Sequence, residues 1–361
     1  MNQQKLREAV KSFQQTLKND PDKAKQYLEE RRMRLEYYQS WTCDRILKMT
    51  EDEMIEYLSK LWAMLTWGDA PGHIQKVVIP QNGLDNLRKS LAELIWGEGP
   101  IEKRWDRFRK SIKYLGPASM SELLCFTFPD DFIIWNRRAR FGLDALEVEN
   151  VPSHDYQVTG KCYKELCEVI KEIRQELHNA GMEGATLLTV DYFIYDEFPM
   201  ERESPVYKKA EEADQISTEP KKESEFKHND IRDKIAEIGN LLGFESKTEV
   251  KVADGSKVDA TWEVQIGNMG RVIYVFEVQT HGSIDSLILN LLKALNNPSV
   301  QGVVAVSDAS QLEKIQKHAH DVPNLAKKLK FWDYEQVLQV HESQTYVSEA
   351  INQLGLVPKG F

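Results

Sequence analysis

Two runs in the C-terminal third of the chain alternate apolar and polar side chains with a period of two, the pattern of a β-strand with two distinct faces. Over residues 257–264, Val258, Ala260, Trp262 and Val264 form one set, and Asp259, Thr261 and Glu263 form the other. Over residues 271–279, Val272, Tyr274, Phe276 and Val278 oppose Ile273, Val275, Glu277 and Gln279. The connecting residues 265–270 hold two glycines and an asparagine, a hairpin signal, so pairing across the turn is expected to bring Asp259 near Glu277.

Helical spacing surrounds these strands. Ile284, Leu287, Ile288, Leu291, Leu292 and Leu295 recur every three or four residues, with Ser283 as expected N-cap and Asn297-Pro298 as the stop. Residues 300–306 read as a buried strand, 310–320 as a helix and 329–332 as a last short strand. Upstream, residues 229–242 place Ile231, Ile235, Ile238 and Leu242 on one helical face, with Gly243 as C-cap. The order helix, three strands, helix, strand, helix, strand predicts an α/β sandwich around a mixed sheet.

The N-terminal part, to about Pro199, reads as mostly helical. Asn19-Asp20-Pro21 starts a long charged helix over residues 21–40, carrying Tyr27, Met33 and Tyr37. Thr50 and Glu53 have the spacing of a capping box, with Met54, Tyr57, Leu58 and Leu61 turned inward. Residues 201–225 are highly charged, contain Pro205 and Pro220 and lack apolar periodicity, so they read as a linker with a helical stretch near 206–213. The expectation is an α+β protein of two domains: an all-α domain over 1–200, a charged linker over 201–226, an α/β domain over 227–345 and a tail over 346–361.

Composition narrows the class. A chain of 361 residues with 41% hydrophobic content can hold two cores. No apolar run approaches the ~20 residues of a membrane span, and the N-terminus lacks the apolar core of a secretion signal. Cys43, Cys125, Cys162 and Cys167 show no Cys-X-X-Cys pairing, which fits a reduced, cytoplasmic protein. His318 and His320 lie two apart on a helix and face different ways, which argues against a zinc site. The net charge of −10 argues against nonspecific coating of nucleic acid, but leaves room for an acidic site beside a local basic patch.

Glu277 shares its face with Ile273 and Val275, and burying an unpaired carboxylate there costs several kcal/mol. A solvated sheet face is the alternative, and the two apolar neighbours fit it poorly. A strand apolar until its last residues, with a second carboxylate on the strand beside it, has the donors for a hard divalent cation.

On these residues, 227–340 resemble the PD-(D/E)XK nuclease superfamily, whose restriction-endonuclease-like core has the order αβββαβ, an Asp on the second strand and Glu-X-Lys on the third. Here the motif is Asp259…Glu277-Val278-Gln279, with glutamine in place of lysine, a variant also carried by some restriction enzymes. The resemblance implies Mg²⁺, with Mn²⁺ able to substitute, held by Asp259, Glu277 and the carbonyl of Val278. It further implies a catalytic set of Asp259, Glu277 and Gln279, with Lys293 as candidate for the missing cation and an assisting acid on the first helix among Asp230, Asp233 and Glu237. Gln279 can orient water through its amide but cannot act as a base. Lys293 reads equally as a solvated lysine on the helix's polar face.

In the N-terminal domain, residues 113–124 read as helix, Leu115-Gly116-Pro117-Ala118 turn and helix. They resemble the helix-hairpin-helix element, whose glycine admits a phosphate to backbone N–H groups. Lys113, Gly116, Arg137, Arg138 and Arg140, with His281 after the acidic motif, are the candidate DNA contacts, alongside basic residues 103–110. A plain interhelical turn with a solvated basic face accounts for the same pattern. In helix-hairpin-helix glycosylases a catalytic Asp stands where this chain has Asn136, which disfavours base excision. The expected function is a metal-dependent DNA endonuclease in restriction, anti-phage defence or repair, with a homodimer or partner protein as the arrangement for two-strand cutting. The alternative is a catalytically degenerate nuclease fold used for DNA binding or scaffolding.

Overall fold

The computed structural model describes residues 1–198, 220–253, 256–267, 270–280, 283–320 and 322–354. They fall into two compact units, one built from Met1–Leu65 and Asp69–Glu219, the other from Thr66–Gly68 and the chain from Pro220 onward. No helix among the described residues is long and apolar enough to cross a membrane.

The first unit is helical. Its main helices are α1 (Gln3–Asn19), α2 (Pro21–Gln39), α3 (Cys43–Lys48), α4 (Glu51–Ser59), α5 (Leu84–Trp96), α6 (Ile101–Ser111), α7 (Pro117–Thr127), α8 (Arg137–Ala145), α9 (Gly160–Asn179) and α10 (Leu187–Glu197). The capping box at Thr50 and Glu53 forms with both reciprocal bonds, and Met54, Tyr57, Leu58 and Leu61 are fully buried. The buried Glu122 of α7 accepts the Trp62 and Ala63 N–H groups at 2.6 and 2.9 Å. Burial nevertheless outweighs those bonds and pushes its carboxyl up to about 8.

The second unit is α/β. After α11 (Pro220–Leu241) come β1 (Glu245–Ala253), β2 (Ser256–Gln265), β3 (Arg271–Val278), α12 (Ile284–Ala294), β4 (Val300–Ser307), α13 (Ala309–His320), β5 (Leu329–Asp333) and α14 (Tyr334–Gln353). The strands lie in sequence order in one mixed sheet. The β1/β2 and β2/β3 pairs are antiparallel, while β3/β4 and β4/β5 are parallel. The parallel pairs follow from the helical crossovers α12 and α13, which parallel strands require.

The alternation on β2 and β3 appears in the register as expected: Thr261 pairs with Val275, Glu263 with Ile273, and Trp262 with Tyr274. One face carries Val275, Val303 and Ala305 into a core with Leu287 and Leu291 of α12 and Ile315 of α13. On the other, Trp262 packs against Phe244, Phe276 and Trp332, and its indole N–H donates to Ile235 O of α11 at 2.8 Å.

Several expected boundaries shift. The first helix of this unit begins at Pro220 rather than 229, so His228 lies inside it. The final helix runs to Gln353, into the segment expected as a tail. Ser283 stands at the N-cap of α12 but makes no side-chain capping bond. Most of the expected linker, its helical stretch near 206–213, and residues 355–361 lie outside the described residues.

Gly239 sets how closely α11 lies on the sheet, because a Cβ there would meet Ser246 Oγ at 2.2 Å and Trp262 Cδ1 at 2.4 Å. Forcing the helix away costs roughly 1–3 kcal/mol. Gly239→Ala is therefore expected to lower the melting transition of the second unit, read by circular dichroism, whereas Gly184→Ala, where a Cβ meets nothing within 4 Å, is expected to leave it unmoved.

Candidate active site

The hydrogen-bonded register of β2 and β3 ends at Ala260 opposite Phe276. Beyond it the Asp259 side chain replaces the backbone as acceptor, its Oδ2 taking the Val278 N–H at 2.8 Å. The same step is irregular on the other side. The β1/β2 pairs Thr248–Ala260 and Val250–Val258 flank Glu249, which adopts a left-handed φ of 55°. Glu249, Asp259 and Glu277 thus stand in one row across three strands.

Asp259 and Glu277 interact directly with one another, and the side chain of Asn290 on α12 acts on the Glu277 carboxyl. Glu277 is 7% exposed and its Oε1 accepts no hydrogen bond. Burial, followed by the charge of Asp259, pushes Glu277 up to about 9. Burial also acts to raise Asp259, but the bond from His228 and the Val278 N–H outweigh it and hold Asp259 below the usual carboxylate range. His228 Nε2 lies 3.5 Å from Asp259 Oδ2. Burial acts against its imidazolium, yet the contact with Asp259 raises it above the ordinary histidine range. The opposite shifts favour one proton on the pair at neutral pH, held on the buried Glu277 while the half-buried Asp259 stays ionised beside His228.

Glu263, at the other end of the same face, is also buried but pairs with Arg271 and lies 3.9 Å from Lys247. Glu277 has no such counter-ion among the described contacts. Its orphaned buried oxygen beside a second carboxylate is the donor chemistry a hard divalent cation takes. Among the described residues no cluster of three or more His, Cys, Asp and Glu is set to hold a metal ion, so any cation here rests on two carboxylates and main-chain or water oxygens.

Gln279, 7% exposed, follows on β3 with its main chain fixed: its N–H donates to Val306 O at 2.8 Å and its carbonyl accepts the Ser307 hydroxyl. Lys293 lies three residues after Asn290 and shares its side of α12. The three candidate acids of α11 are engaged away from Asp259. Asp230 pairs with Lys234 at 3.3 Å, Asp233 with Arg232 at 2.8 Å, and Glu237 with His341 of α14 at 2.5 Å. His228, with Arg232 one turn on, holds the position facing Asp259 instead, and Arg232 also contacts Glu249 at 3.2 Å. His281 lies outside the described residues.

Neither His228 nor Asn290 was among the expected site residues, although each left a trace. His228 is aligned with Ile231 and Ile235 at helical spacing, and Asn290 borders the Leu287–Leu291 apolar stripe.

In the first unit, the turn between α6 and α7 takes its positive φ, 64°, at Tyr114 rather than at the glycine. Gly116 is extended and exposed, with open space where a Cβ would stand. Lys113 is tied by its backbone to the Asn82 amide at 2.8 and 3.0 Å. The neighbouring guanidinium groups are largely committed within the unit. Arg104 donates to Leu94 O and Ile95 O, Arg109 to Asp155 O and Val158 O, Arg140 to Ser153 O, and Arg107 pairs with Glu93. Arg138 lies over the Tyr195 ring at 4.0 Å, and Arg137 opens α8. Asn136 is the N-cap of that helix, accepting Ala139 N–H at 2.9 Å, a structural use of the position.

Comparison with protein-family models, curated proteins and solved structures finds no match to this chain.

Because Glu277 titrates higher when folded than its ordinary 4.5, the folded state binds the extra proton between about pH 4.5 and 9. Its stabilising effect is complete below that window and is lost as pH rises through it. In metal-free protein the melting temperature is expected to fall from pH 6 to 9, and Glu277→Gln to flatten that slope. An equal slope in both proteins contradicts the shared proton.

Proposed function

We propose that the second unit is a divalent-metal-dependent nuclease that hydrolyses phosphodiester bonds in DNA, with Mg²⁺ as resident ion and Mn²⁺ as substitute. The observation that carries this reading is the buried Glu277 carboxyl beside Asp259, one of whose oxygens has no hydrogen-bond partner. Asp259 and Glu277, both ionised, would hold the cation, with the Val278 carbonyl as a third oxygen. A bound ion supplies Lewis-acid polarisation of the phosphoryl oxygen and a more acidic water.

The chain's own contributions are distinct. The Val278 N–H and His228 fix Asp259, and Asn290 holds Glu277. Gln279 offers an amide that orients water without taking its proton. Restriction, anti-phage defence or repair are the settings the resemblance suggests. The first unit would serve recognition of DNA or a partner, with Arg138, Gly116 and the exposed Lys103 as its most available elements.

A degenerate nuclease fold that binds without cutting is favoured by one observation, the glutamine at position 279 where the resemblance expects a cation. Full-length protein incubated with Mg²⁺ or Mn²⁺ and duplex DNA, single-stranded DNA or RNA separates the two. Cleavage is expected with the parent, and Glu277→Ala is expected to lower it by about 10²–10³-fold, of the order seen when one electrostatic element of a catalytic site is removed. Equal cleavage by both proteins removes the site assignment, and none by the parent on any substrate favours the binding module.

A further inference from the structure

The side of the site that carries positive charge is built by α11, not by the third strand. His228 and Arg232, four residues apart, share the face of that helix turned toward Asp259. His228 Nε2 approaches Asp259 Oδ2 at 3.5 Å, the same oxygen that takes the Val278 N–H at 2.8 Å. Both directed contacts therefore fall on one oxygen and leave the other to turn toward Glu277.

Arg232 is 4% exposed and commits its guanidinium to Asp233 at 2.8 Å, Asn229 at 3.0 Å and Glu249 at 3.2 Å. Its bond to Glu249 reaches the one residue of β1 with a left-handed backbone, opposite Asp259. A non-glycine residue in that conformation costs of order 1 kcal/mol or more and persists only where surrounding contacts hold it. The same helical turn thus grips the irregular strand with Arg232 and the carboxylate with His228.

We propose that His228 is a positioning residue: its Nε2 holds the Asp259 carboxylate in the orientation that binds a divalent cation, with Arg232 and Glu249 fixing the helix turn from which it acts. The inference rests on the metal-dependent reading above. An outer-shell contact of this kind typically alters metal affinity by about 10–100-fold when removed.

The test measures Mn²⁺ binding to the full chain by isothermal titration calorimetry and by the paramagnetic resonance signal of free Mn²⁺. His228→Ala is expected to weaken binding about 10–100-fold. His228→Gln, whose amide N–H can replace Nε2–H, is expected to recover binding to within a few-fold, and both variants to melt near the parent without metal. A purely structural histidine would show no such rescue. If His228→Ala binds Mn²⁺ like the parent, or His228→Gln is as weak as His228→Ala, the positioning role is overturned while the metal site stands. If the parent binds no Mn²⁺, or Asp259→Asn binds as well as the parent, the metal reading itself fails and this inference fails with it.

Discussion

A buried carboxyl beside a half-buried carboxylate cannot ionise without compensating charge, and the end of the β2/β3 ladder is built around that constraint. Asp259 and Glu277 sit where the β2/β3 ladder stops, and the ladder stops there because a side chain has taken the bond that a backbone carbonyl would otherwise accept. A fully hydrophobic strand end would cost less free energy. Retaining the pair makes sense when something else supplies the compensating charge.

The rest of the sheet shows that the chain can neutralise a buried acid where neutrality is the goal. Glu263 lies on the same face and is covered by Arg271 and Lys247. Asp230, Asp233 and Glu237 each find a basic partner within α11 or from α14. Glu277 instead meets Asp259 and the neutral Asn290. The difference between these two treatments of a carboxylate separates a structural acid from a candidate ligand, and it could not be read from residue type alone.

What was legible in the sequence was periodic. The alternation over β2 and β3 predicted their register, and the 3.6-residue pattern predicted α12 and the crossovers that make β3, β4 and β5 parallel. What escaped was the orientation of polar residues inside otherwise apolar helical stripes. The apolar periodicity begins after His228, and charge alone does not show that Asp230 and Glu237 lie on the side of α11 away from Asp259. Asn290 is an uncharged side chain beside a core stripe and carries no signal until its partner is known. In the first unit, basic residues counted as a patch prove to be largely hydrogen-bond donors to helix-end and loop carbonyls, so their number overstates the charge offered to a phosphate backbone.

The dependence of the site on a missing positive charge is most directly tested by diffraction from crystals of the full chain soaked in Mn²⁺, collected at a wavelength where manganese scatters anomalously. The structure predicts a peak between the carboxylates of Asp259 and Glu277, at about 2.0–2.2 Å from oxygen ligands, where hard-cation coordination would place it. Crystals soaked to saturation that show no peak there, with Asp259 and Glu277 still side by side, would contradict it.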